Sequence, residues 1–178
     1  ARLDEARAQG LAITAQVAAR AIGLLFGLPC TLHPFVTNPV FQAELAGLRP
    51  DEQARLMREP SFRERVLAAE VRRHREKLGG ALITMWDRMF VLGDPPDYEP
   101  PAADSLAARA AAAGVRPEAL AYDLLAEGDG ATLLYTPFLN YAEGNLDAVG
   151  EMLRHPWTVP GLADGGAHVG TICDGSFP

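Results

Sequence analysis

The same local pattern stands at both ends of this chain: a short helix followed at once by an apolar strand. Leu3 to Gln9 carries helix formers and is closed by Gly10, the residue type that accepts the left-handed conformation after a last helical turn. Leu11 to about Val17 is then apolar and rich in β-branched residues. At the far end Asn145 is placed to cap a helix whose Leu146, Val149, Met152 and Leu153 share one face. Pro156 stops that helix, and Thr158 to Ala163 makes a short apolar strand. Helix-then-strand steps of this kind build parallel sheets, because two parallel neighbours need a crossover between them. An α/β fold is therefore expected, with the two end strands adjacent and their connection grown into a subdomain.

The connection has its own punctuation. Pro50-Asp51-Glu52 starts a short helix that Pro60 ends, and Ser61 caps the next, with Phe62, Val66 and Leu67 as its apolar stripe until Gly79-Gly80. The arginine-rich stretch from Val71 to Lys77 reads as a solvated helix face, and Ala81 to Leu92 suits either a strand or a helix. Gly93-Asp94-Pro95-Pro96 through Pro101 must be extended and proline-stiffened. Ser105 caps a helix ending at Gly114, Pro117 begins another ending near Gly128, and Ala131 to Phe138 reads as a strand. The expected organisation is a first αβ step over 1–28, a helical insertion or lid over 29–144, and a last αβ step with its following loop over 145–178.

Composition narrows the partners. With 178 residues, 48% hydrophobic and 22% charged, the chain can bury a sizeable core. A net charge of -7 argues against nucleic acid, which demands a basic face to displace phosphate counterions. No apolar run reaches the roughly 20 residues of a membrane span; Leu11 to Leu28 is interrupted by Thr14, Gln16 and Arg20. Cys30 and Cys173 form no C-x-x-C pair and no disulfide-scaffold spacing, so reduced thiols in a cytoplasmic setting are expected. The chain begins at Ala1 and stops at Ser176-Phe177-Pro178 without a cap, so both ends read as cut from a longer protein.

The segment richest in chemistry is Val159-Pro160-Gly161-Leu162-Ala163-Asp164-Gly165-Gly166-Ala167-His168. An apolar strand delivers a carboxylate at its C-terminal end, where α/β folds build their sites, and two glycines let the backbone turn tightly beside a ligand. On local chemistry alone, closing an Asp-Gly turn is the commoner use of such a dipeptide.

The run from Gly161 to Gly170, continuing through Cys173-Asp174-Gly175-Ser176-Phe177-Pro178, resembles the last barrel strand and following loop of the N-acyl-D-amino-acid deacylase branch of the amidohydrolase superfamily. Leu106-Ala107-Ala108-Arg109-Ala110 with Pro117, Tyr122-Asp123-Leu124-Leu125, and Asn145 through His155-Pro156 resemble that branch's helical segments, and Ile13-Thr14-Ala15-Gln16-Val17 the strand before its insertion. The likeness covers nearly the whole chain. It implies part of a (β/α)8 barrel with a large helical insertion between its last two strands. It also implies a zinc-dependent hydrolase of linear amides, turning an N-acyl-D-amino acid into a D-amino acid and a carboxylate. Asp164 would then be both metal ligand and catalytic carboxylate, taking a proton from the attacking water and returning it to the leaving amine.

His168 follows by a short glycine-rich turn, as a substrate contact, a partner of the metal site or an ordinary loop histidine. His33 and His155 each precede a proline and read as turn residues, and His74 lies in the charged stretch as a solvent-facing residue. The sequence also departs from the family: it has no H-x-H motif, no cysteine in an early strand, and in Lys77 a lysine within an arginine-rich run rather than a bridging ligand. Most zinc ligands are accordingly expected outside these residues, and the segment alone is expected to be inactive. For the substrate carboxylate, arginine is the natural partner. Arg20, after the first strand, and Arg88, in Trp86-Asp87-Arg88-Met89-Phe90, are candidates, each equally readable as a surface or Asp-paired arginine. Tyr98 and Tyr141 lie in loop-like stretches, facing a ligand or packing half-buried. Two other readings stand beside this one: hydrolysis of a cyclic amide or ureide, as in hydantoinase-like enzymes, and a non-catalytic α/β interaction module. An excised barrel segment would expose strand edges and apolar helix faces, which predicts association.

Overall fold

A computed structural model of the chain describes residues 2–70, 78–161 and 172–174. In chain order the elements are α1 (Arg2–Ala8), β1 (Ala15–Val17), β2 (Ile22–Phe26), α2 (Pro39–Leu45), α3 (Pro50–Met57), α4 (Pro60–Ala68) and α5 (Leu78–Leu82). There follow β3 (Phe90–Val91), α6 (Leu106–Ala113), α7 (Pro117–Leu125), β4 (Leu134–Leu139), α8 (Asp147–Arg154), β5 (Thr158–Pro160) and β6 (Ile172–Asp174). The arginine-rich stretch, with His74 and Lys77, and the segment holding Asp164 and His168 lie outside the described residues.

Proline sets the helix starts. α2, α3, α4 and α7 all carry proline in the first turn, where its missing N–H costs nothing and its fixed φ suits the helix. Pro60 accordingly begins α4, and Ser61 sits inside the helix rather than capping it. The Asn38-Pro39 start of α2 carries the same signal. Asn38 Oδ1 accepts from the N–H groups of Val40 and Phe41 at 3.0 and 3.1 Å, and its Nδ2 donates to the Val66 carbonyl at 2.9 Å. One buried side chain thus caps α2 and ties it to α4. Ser105 caps α6 as expected, and Gly114 closes it with φ 67. Ahead of α8, Asn145 accepts from Asp147 N–H at 3.1 Å, although Leu146 holds the cap position itself.

The end strands are neighbours. β1 and β5 pair in parallel, with Ala15 opposite Thr158, Gln16 opposite Val159 and Val17 opposite Pro160. Only Ala15–Val17 of the expected Leu11 to Val17 strand joins the ladder. The preceding residues bond locally instead, Leu11 N–H to Ala6 C=O and Ile13 N–H to Leu11 C=O. The stretch 18–21 then separates β1 from β2, and β2 joins a different, antiparallel sheet of order β3-β4-β2-β6. Within the connection, β4 falls on the strand expected from Ala131 to Phe138, and β3 lies in the stretch Ala81 to Leu92 that suits either a strand or a helix. The chain is mixed α/β, and among the described residues its strands form these two small sheets and close no barrel.

One face of the antiparallel sheet carries the core. Phe26 and Leu134, opposite each other, are wholly buried beneath Phe41, Leu45, Met57, Leu106, Tyr122 and Leu125 from the helices. The Tyr122 hydroxyl donates to the Met57 carbonyl at 2.9 Å, joining α7 to the end of α3. Ion pairs from Arg63 to Asp123 and from Arg65 to Glu44 bind α4 to α7 and α2, but they are exposed and contribute little. Around the parallel pair several apolar side chains stay in solvent, among them Leu11, Ile13, Met152, Trp157 and Val159. Met152 therefore lies outside the buried stripe expected of α8, which rests on Val149. No helix among the described residues is long and apolar enough to cross a membrane.

Two His-Pro-aromatic turns share one device. In His33-Pro34-Phe35 and in His155-Pro156-Trp157, the imidazole Nδ1 accepts the N–H two residues on, at 3.2 Å in each. His33 is buried against Phe41, ring centroids 4.7 Å apart, and burial pushes its pKa down from 6.5 to about 4. Between those values the unfolded chain binds a proton that the folded chain refuses. The stability it contributes is full above about pH 6.5 and falls by about 3 kcal/mol as pH drops to about 4. Urea titrations from pH 7 to pH 4 should show this slope. His33→Asn, which keeps an acceptor for Phe35 N–H but does not titrate, should flatten it; an unchanged slope would remove His33 as its source.

Candidate functional site at the end of the parallel pair

Parallel strands release their C-terminal ends on the same edge. In sequence Arg20 follows β1 by three residues, and Asp164 follows β5 by four. Gly161 is buried, its N–H donating to the Val17 carbonyl at 2.8 Å. Its Cα passes so near Gln16 that a Cβ there would lie 2.7 Å from Gln16 Cβ. Because that neighbour sits close to its own backbone, it cannot swing aside. Gly161→Ala should therefore push the two strands apart at the edge and destabilise the fold by roughly 1–3 kcal/mol. A shift in the urea midpoint reads this, and an unmoved midpoint would show that the edge yields.

Arg20 is half-buried, its guanidinium carbon 4.4 Å from the centre of the Tyr98 ring. Tyr98 meets Tyr135 edge-on, centroids 5.6 Å apart at 90°. Tyr135 is wholly buried over Gly23, where a Cβ would come within 2.3 Å of its ring. Arg88 has a different occupation: two of its nitrogens donate to the carbonyls of Tyr141 and Ala142, at 3.4 and 3.2 Å. The adjoining hollow of about 240 Å³ is lined also by Asp87 and Glu143, whose charges repel a carboxylate ligand. Arg88 is a clasp for the loop after β4.

Neither described histidine resembles a metal ligand. Nδ1 is engaged by a backbone N–H in both, and His155 Nε2 meets Asp4 Oδ1 at 3.0 Å, which fixes the tautomer with the proton on Nε2. Cys30 is a free, buried thiol whose pKa burial raises, which keeps it protonated. Among the described residues no three His, Cys, Asp or Glu side chains are grouped to hold a metal ion. These residues do not themselves fit a zinc site.

The stacking of Tyr98 on Arg20 was not anticipated from sequence. The one available signal was an aromatic residue within an otherwise polar, proline-rich strap. Tyr141, also noted in a loop, is buried and donates to the Pro100 carbonyl at 3.3 Å. Comparison with family models, with curated proteins and with solved structures finds no match to this chain.

Proposed function

We propose that this chain is an internal part of a metal-dependent amidohydrolase of the N-acyl-D-amino-acid deacylase kind, with β1 and β5 as the last two strands of a (β/α)8 barrel and residues 29–144 as the insertion between them. The observation that carries this is the parallel register of β1 with β5, which makes neighbours of two strands some 140 residues apart, each preceded by its own helix. It adds to the resemblance running from Gly161 to Pro178. The reaction is hydrolysis of the linear amide of an N-acyl-D-amino acid, in a cytoplasmic protein. Zinc, held largely by groups outside these residues, supplies Lewis acidity when bound. Asp164 takes a proton from the attacking water and returns it to the departing nitrogen, so that the amine leaves neutral. Arg20 binds the substrate carboxylate, and His168 lines the same pocket.

The test is metal content and chelation in the complete protein that carries this chain. Bound zinc, amide hydrolysis lost on chelation and regained on adding zinc back, is the expected result. A protein that binds no metal and hydrolyses no amide would leave an α/β interaction module in its place.

A further inference from the structure

We draw no further inference here: the strongest candidate, the exposed apolar patch of Leu11, Ile13, Trp157 and Val159 around the parallel pair of β1 and β5, carries nothing, because nothing in the structure shows what covers it.

Discussion

Replacing Asp164 with alanine in the complete protein should lower kcat/KM for N-acetyl-D-amino acids by about a thousandfold or more and leave the fold intact. The size follows from the role proposed for it: a positioned general acid–base contributes on the order of 10²–10⁴ in rate, and one carboxylate here moves the proton in both directions. Asp164→Asn is the sharper variant. It keeps the shape and the acceptor oxygen but cannot carry a proton, so it should fall nearly as far as alanine. Free-amine release measures the rate, and circular dichroism checks the fold. Either variant turning over at the wild-type rate would return Asp164 to the plain Asp-Gly turn that local chemistry also allows.

The largest expected stability effect is at Phe26. Its side chain is wholly buried, opposite Leu134 in the sheet and beneath helices that begin far along the chain. Truncation to alanine removes the buried ring and leaves a cavity that packed helices only partly close, a loss of about 3–5 kcal/mol. Typical domains have only about 5–15 kcal/mol in all, so Phe26→Ala should move the urea midpoint far or unfold the protein at mild temperature. Leu139→Ala is the control. It lies in β4, which pairs with the strand holding Phe26, but is 52% exposed and should cost less than about 0.5 kcal/mol. Equal losses at the two positions would mean that the core is not where the sheet and helices place it.

The parts of this fold that were legible in sequence are those written locally. Proline and glycine marked the ends of most helices, Ser105 and Gly114 bracketed α6, and a helix before each end strand pointed to the parallel pair. Two local signals compete at the start of α4: Ser61 is a capping residue type, but Pro60 beside it is the better first residue of a helix. β2 was missed because the stretch that parts it from β1, Ala18-Ala19-Arg20-Ala21, contains neither glycine nor proline. Its pairing with β4 and β6 joins residues more than a hundred positions apart, which no local pattern announces.

The candidate site divides the same way. Arg20 is a candidate in sequence by its place just after a strand, whereas Tyr98, the ring it meets, lies 78 positions further on and is brought to it only by the tertiary fold. The close passage of Gly161 over Gln16 is likewise a matter of strand pairing. Arg88 showed the converse: a residue type suited to an anion was occupied with backbone carbonyls that only the folded loop presents.

The most direct test is hydrolysis of a panel of N-acetyl-D-amino acids and their L enantiomers by the complete protein, following release of the free amino acid. Turnover of D substrates, with the L enantiomers hydrolysed far more slowly, is the expected result and would establish both the reaction and its substrate class. Absence of hydrolysis with every member of the panel, in protein that is folded and supplied with zinc, would contradict it.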